Sequence, residues 1–327
     1  MRLSDLAALA GVSTATVSRA LSGHFSVNKD TQKRIRDLAE KHGVRPNQLA
    51  RNLRLKNTGA IGLVMPLGHA RTQHLTDPFF LSLLGFLADF LVDEGYDILL
   101  SRVLPADTDW LDRLIAAGRT DGLLIIGQSD QYEVIETAAK RYKPLVVWGV
   151  HRAGQVHAAV GSDNIAGGRI AGERLIERGR SRLLFVGDPA PPEFAQRADG
   201  FRQAASAAGL SINILPTAMD PASAYSSVQA YLAANSTPDG VFAASDVVAM
   251  SALRAFQEAG LAVPDDVAII GYDDVSLAAQ TSPPLSTIRQ DLEIGAKAMV
   301  DLLMRRIAGD SPASVLLPPA FVSRVSG

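Results

Sequence analysis

The 327 residues predict a two-part chain of α/β class, a small helical head followed by a larger body built on parallel sheets. Three observations carry this. Over residues 60–327, short apolar runs with β character alternate with amphipathic helical stretches, as when helices cover both faces of a parallel sheet. The first 57 residues hold 11 Lys and Arg against 4 Asp and Glu, net +7, and the remainder is net −9, so the overall charge of −2 conceals a basic head on an acidic body. The chain is also too long for one domain of about 100–200 residues.

Composition excludes several classes. A hydrophobic fraction of 47 % with 20 % charged residues is that of a globular chain, not of a fibre or a disordered tract. The apolar runs, such as 122–127 and 145–148, fall far below the ~18 residues of a membrane span. Cysteine is absent, which excludes disulfides, thiolate nucleophiles and cysteine-ligated metal centres. The N-terminus carries Asp5 and no sustained apolar core, so it does not read as a secretory signal, and a cytoplasmic location is expected.

In the head, Leu3, Leu6, Ala7 and Ala10 recur on one face of a short helix that Gly11 ends. Ser13 can cap a second helix at 14–21, buried through Val17 and Leu21. Two short helices joined by a turn containing Gly form a helix-turn-helix. A third helix fits 29–42, capped by Asn28 and stopped by Gly43, with Ile35, Leu38 and Ala39 inward. The second helix has the chemistry of a DNA-reading element. Ser13, Thr16 and Ser18 offer hydroxyls and amides to phosphates. Thr14 and Ala15 are small enough to meet a thymine methyl, and Arg19 could grip guanine through two hydrogen bonds. The structural alternative is a plain three-helix bundle with a solvated arginine.

Residues 46–56 then read as a short helix opened by Pro46, with Leu49 and Leu53 on one face among Arg51, Arg54 and Lys56. About ten residues are too few for a stable isolated helix. An apolar residue among arginines suits a minor-groove wedge; the alternative is an ordinary basic linker.

The segments ALAGVSTATVSRALSG (8–23) and RPNQLARNLRLKNTGAIGLVMP (45–66) resemble the lactose-repressor (LacI/GalR) family of bacterial transcription regulators. The resemblance implies that Thr14, Ala15 and Arg19 read the major groove. It implies that Leu53 wedges into the centre of a palindromic operator, with Ala50 and Arg54 beside it and Asn47 and Arg51 in the same DNA-binding hinge helix. Arg2 departs from the family, which usually has a hydroxyl there to cap the first helix. The expected divisions are a helix-turn-helix domain at 1–45, a hinge at 46–58 and an effector-binding core at 59–327.

Within that core, strands are expected at 60–65, 96–100, 122–126, 145–148, 183–186, 241–244 and 267–271. Helices are expected at 79–94, 167–178, 197–208, 247–259 and 292–308. The body exceeds one usual hydrophobic core, so two lobes are expected. An internal echo supports this: residues 120–130, from Thr120-Asp-Gly to Ser-Asp, resemble 238–246, from Pro238-Asp-Gly to Ser-Asp. Ligands of open α/β sheets bind at the carboxyl ends of the strands, where both Ser-Asp pairs fall. The family resemblance implies a periplasmic-binding-protein-like core, one lobe over 59–160 and 290–316 and the other over 161–289 and 317–327.

Several residues qualify as effector contacts. Phe79 and Phe80 could stack on a sugar and Asp77 accept its hydroxyls, or the phenylalanines are helix core. Trp148 ends a strand and could stack on a pyranose, or is core. Phe242, Ser245 and Asp246 end one strand and Asp273 another. By the resemblance, Arg197 takes an effector-binding position and both acids lie in or near the cleft, unless Asp246 only caps the next helix. Gln290 falls near a lobe crossover. Gly149 stands where some sugar-binding relatives carry an aspartate.

No GxSxG, HExxH or GxxxxGK[ST] pattern occurs, and residues 161–168 lack the GxGxxG order; Gly167 and Gly168 suit close helix packing instead. His69 with His74 and His151 with His157 lack helix-face metal spacing. No enzyme, metal site or cofactor is expected. Palindromic recognition requires two heads, so a C2 homodimer is expected. The sequence thus reads as a repressor of carbohydrate-utilisation genes, released from double-stranded operator DNA by a small sugar, of glucoside or maltose type by resemblance. The alternatives are control by a purine corepressor or an unregulated sugar-binding protein.

Overall fold

A computed structural model describes residues 3–21, 25–44, 57–66 and 75–327. The chain divides into two compact units, Met1–Thr58 and Gly59–Gly327.

In the first unit, α1 (Leu3–Ala10), α2 (Thr14–Leu21) and α3 (Lys29–Lys41) pack around Leu6, Ala10, Val17, Ala20, Ile35 and Ala39. The turn between α1 and α2 requires Gly11, whose φ of +64° is costly for a residue with a Cβ. Ser13 Oγ accepts from Thr16 N at 3.1 Å and so caps α2. Asn28 Oδ1 accepts from Asp30 N at 2.9 Å and caps α3. Arg34 Nη2 donates to Ala10 O at 3.0 Å, satisfying a carbonyl at the end of α1. The expected hinge residues Asn47, Ala50, Arg51, Leu53 and Arg54, and Arg2, lie outside the described residues.

The second unit holds two six-stranded sheets. The first runs β11-β5-β4-β3-β1-β2, from β1 (Ala60–Pro66), β2 (Asp97–Val103), β3 (Gly122–Ile126), β4 (Leu145–Trp148), β5 (Ala158–Ser162) and β11 (Val315–Leu317). Its helices are α4 (Pro78–Asp93), α5 (Trp110–Ala116), α6 (Tyr132–Ala139) and α11 (Leu292–Ile307). The second runs β12-β10-β9-β8-β6-β7, from β6 (Leu183–Val186), β7 (Ile212–Leu215), β8 (Gly240–Ala243), β9 (Ala268–Asp273), β10 (Ser286–Arg289) and β12 (Ala320–Val322). Its helices are α7 (Asn164–Glu177), α8 (Pro192–Ala207), α9 (Pro221–Ala234) and α10 (Asp246–Glu258). All pairings are parallel except β10 with β12.

The two sheets share one strand order, and β3 and β8 hold equivalent places, which accounts for the internal echo. Each Asp-Gly pair does the same work. Asp121 Oδ2 accepts from Gly59 N at 2.8 Å, and Asp239 Oδ1 accepts from Ser181 N at 2.9 Å and Arg182 N at 2.8 Å. Each acid thus pins the chain just before the neighbouring strand. The glycines leave room for neighbours: a Cβ on Gly122 would lie 2.9 Å from Leu303, and one on Gly240 2.9 Å from Leu183.

The chain crosses between lobes after Ser162, Arg289 and Leu317. The first sheet thus runs two residues beyond the expected boundary at 160, and one beyond that at 316. Several elements were not expected. β5, β7, β10, β11 and β12 are only three to five residues long, and β5 reads Ala-Ala-Val-Gly-Ser, too small to mark a strand. α9 is rich in Ala and Ser, which blurs its apolar face. α8 begins at Pro192, five residues before the expected start, because Pro sits at N1. Gly168 lies inside α7 and Gly200 inside α8 where the helices nearly touch, whereas Gly167 of α7 makes room for the Tyr272 ring of β9 instead of a helix. A Cβ on Gly168 would lie 2.0 Å from Arg197 O, and one on Gly200 2.0 Å from Ile165 O.

Candidate effector cleft and DNA-reading face

In the head, Ser13, Thr14, Ala15 and Arg19 are exposed and Thr16 and Ser18 partly so, while Val17 and Ala20 are buried. The positions expected to meet DNA therefore share the outward face of α2. The Ser13 and Thr16 hydroxyls lie 2.9 Å apart and hold the first turn together.

In the body, the carboxyl ends of both sheets face one cavity, of about 90 Å3. Asp77, Phe79, Phe80, Trp148, Arg197, Ser245, Asp273 and Gln290 all line it. The first lobe supplies the aromatic wall. Asp77 Oδ1 accepts from Phe79 N at 2.9 Å, capping α4 and fixing where the phenylalanines enter. Phe79 stands edge-on to Phe80 at 5.5 Å and to Trp148 at 6.0 Å. Phe80 and Trp148 also belong to the core of that lobe, so both readings of these rings hold together. Trp148 packs so tightly on Gly295 that a Cβ there would lie 2.3 Å away.

The second lobe supplies the polar wall. Arg197 is buried, with its guanidinium carbon 3.6 Å from the centre of the Tyr272 ring. Its Nε donates to Asn164 Oδ1 at 2.9 Å, its Nη1 donates to Ala244 O, and Nη1 lies 3.8 Å from Asp273 Oδ1. Gln290 Nε2 donates to Asp273 Oδ1 at 2.7 Å. Asp273 has φ +117°, a strained value for a side-chain-bearing residue, held at the end of β9. Burial pushes its carboxyl up to about 7; Arg197 opposes the shift and Asp77 adds to it. The site thus holds a carboxylate that titrates near neutrality.

Two expected contacts sit elsewhere. Phe242 is fully buried in the second lobe, packed with Phe185 at 5.6 Å and Phe201 at 5.4 Å, and it does not line the cavity. β8 is a central strand covered on both faces, so the core takes its aromatic ring. Asp246 is also fully buried and behind the cavity wall: Oδ1 accepts from Thr287 Oγ1 at 2.6 Å and Oδ2 from Val275 N at 2.9 Å. Burial first, and then the charge of Asp273, raise its carboxyl well above the ordinary range. Ser245, not Asp246, caps α10, its Oγ accepting from Val248 N at 3.3 Å.

Sequence reasoning missed Glu193, Phe194, Met219 and the main chain at Gly127, all of which line the cavity. Glu193 and Phe194 stand four and three residues before Arg197 on α8. Starting that helix at its N1 proline would have placed them beside the arginine. At Gly149, the side chain of Gln128 fills the space of a missing side chain, 2.9 Å from where a Cβ would stand. Among the described residues, no cluster could hold a metal ion and no helix is long and apolar enough to cross a membrane.

A helix-turn-helix head on a two-lobed α/β core with a polar and aromatic cleft defines a class, the ligand-responsive transcriptional regulators. Comparisons with known proteins agree. Residues 2–47 match the family model "Bacterial regulatory proteins, lacI family", and residues 173–326 match "Periplasmic binding protein-like domain". The regulator CelR of Thermobifida fusca is 30% identical over 338 residues, covering 99% of this chain and 98% of CelR. The repressor PurR of Aliivibrio salmonicida (strain LFI1238) is 32% identical over 316 residues, covering 93% and 92%. A solved CelR–cellobiose complex matches with a TM-score of 0.73 and 28% identity over the whole of both chains. The lac repressor dimer bound to operator and the anti-inducer ONPF shares the fold, with a TM-score of 0.87 at 23% identity, covering 100% of this chain and 98% of that one. The chain belongs to the lacI family of bacterial regulatory proteins and is a transcriptional regulator, not an enzyme.

Proposed function

We propose that this regulator is a cytoplasmic repressor of carbohydrate-utilisation genes. It binds a palindromic operator as a homodimer and leaves it when a small sugar of glucoside or short β-glucan type occupies the cleft. The observation that carries the sugar reading is the division of the cavity: Phe79 and Trp148 stand on one side, and Arg197, Asp273 and Gln290 on the other. A sugar ring has an apolar face for the first wall and a rim of hydroxyls for the second. The cellobiose bound by the CelR relative supports the same class.

At the operator, Thr14, Ala15 and Arg19 read the major groove while Ser13, Thr16 and Ser18 hold phosphates. Leu53, with Ala50 and Arg54 beside it and Asn47 and Arg51 on the same segment, acts at the centre of the palindrome. Effector and operator are coupled by about 1–3 kcal/mol, roughly 5–150-fold in affinity. A purine corepressor is the second reading, because the paired aromatic rings and the arginine of the same cavity also suit a purine.

Fluorescence anisotropy with a palindromic duplex, a scrambled control and fixed salt tests both readings. Cellobiose should weaken specific binding, and Arg19→Ala should cost about 1–3 kcal/mol on the palindrome alone. Tighter binding with hypoxanthine or guanine would establish the purine reading. Equal affinity for both duplexes, after selection from genomic fragments, would remove the operator function.

A further inference from the structure

The inner cavity, of about 90 Å3, is small beside the roughly 300–1,000 Å3 that small-molecule sites usually span. Beyond Asp77 and Met219 the space between the lobes widens into a pocket of about 640 Å3, so it is the inner part, against Arg197 and Asp273, that a sugar-sized ligand reaches only by parting the lobes. At the crossovers the lobes are tied by the chain itself and by the bond from Tyr272 Oη to Ser162 Oγ at 3.3 Å. Away from the crossovers, Val150 N of the first lobe donates to Glu193 Oε1 of the second at 3.3 Å.

We propose that Glu193 is a positioning residue that holds the lobes together through the Val150 main chain and couples ligand entry to lobe opening. This rests on reading the cleft as the effector site. Three observations support it. Glu193 lines the cavity as well as crossing it, so a ligand and the Val150 amide compete for one carboxylate. Val150 is a firm anchor: its carbonyl accepts from Gln128 Nε2, and Gln128 is fully buried against Gly149. Glu193 also stands one helical turn before Arg197, in the first turn of α8. The glycine contacts at Gly168 and Gly200 lock α8 against α7, and α7 starts directly after the first crossover. Ligand contact at Arg197 and the grip on Val150 are therefore carried by one rigid helix pair.

The test uses the full chain without ligand. Amide hydrogen exchange at Val150, read by NMR, should quicken about tenfold in Glu193→Ala, as expected for loss of a hydrogen bond to a charged acceptor. Glu193→Gln, whose side-chain carbonyl still accepts, should stay near wild type. Val147, inside β4, reports that the lobe remains folded. Because the chain has no cysteine, Asp130→Cys and Ala190→Cys can carry spin labels at exposed positions just after β3 and just before α8, one in each lobe. Their separation should lengthen in Glu193→Ala and not in Glu193→Gln. Unchanged Val150 exchange, or unchanged label distances, in Glu193→Ala overturns the proposal. Operator binding by the same wild-type protein keeps the two readings apart. If that protein binds specifically while Glu193→Ala behaves as wild type, only the latch fails. If it binds no operator, the regulator reading fails whatever the latch does.

Discussion

The two lobes are laid out alike but built for different tasks. Both use the same strand order, and in both an Asp-Gly pair starts the third strand. Yet the first lobe turns mainly rings toward the cavity, and the second turns a buried guanidinium and a buried carboxylate. The first lobe offers the cavity mostly rings, with Asp77 beside them, and the second offers charge, with Phe194 and Met219 beside it. Burying rings is favourable in itself, whereas buried charges are tolerated only while each keeps its partners. The recognition surface of the second lobe should therefore be the fragile one.

The largest expected effect comes from breaking that charge set. Arg197→Ala leaves Asp273 without its cation and strips partners from Asn164 and Ala244, and should cost about 3–5 kcal/mol in urea unfolding. It should also abolish the sugar response of the operator complex. A loss under about 1 kcal/mol would mean that the polar wall stands without its arginine, and the contrast between the lobes would fall.

The matching cut in the first lobe is Trp148→Ala. Its ring packs on Gly295 and Phe79 but also edges the cavity, so about 3 kcal/mol, the low end for such truncations, is expected in the same measurement. Its stability deficit should not change between about pH 5 and pH 8, because Asp273 keeps its cation, whereas the arginine variant removes the charge that faces that carboxyl.

The smallest effect is a slope. The Asp273 carboxyl, at about 7 in the fold, lies above its unfolded value. The stability it contributes is full below the unfolded value and is lost as pH rises through about 7. Asp273→Asn should therefore gain on the wild type as pH climbs from about 5 to about 8, in thermal unfolding. A constant difference across that range would show that Asp273 ionises as an ordinary carboxylate.

The sequence disclosed the head more fully than the cleft. α2 and the cap at Ser13 are local events, set by a glycine, a hydroxyl and two buried apolar residues, Val17 and Ala20, and local patterns carry them. In the body, strands of four or five continuous apolar residues were legible because both faces are covered. β5 and β10 were not, since small and hydroxyl residues there serve the crossovers. Arg197, Asp273 and Gln290 stood out as polar residues at strand ends, helix starts and crossovers. Phe242 misled because position along a strand does not reveal which face is cavity and which is core. Glu193 was hidden for a different reason: its partner is a main-chain amide 43 residues away, and no side-chain pattern encodes that.

The three passages of the chain between lobes set a timetable for synthesis. The strands of the first lobe leave the ribosome early, but the helix covering Trp148, Gly122 and their neighbours, α11, ends only at Ile307. At about 5–20 residues per second, the nascent lobe waits roughly 7–30 s between Ser162 and that residue with one face of its sheet covered by α4 alone. The second lobe is drawn in that interval from one nearly continuous stretch, but its edge strand β12 also comes after Ile307. Both lobes therefore close only in the last stretch of synthesis, the first with β11 at Leu317 and the second with β12 and the buried Ser326 just after it.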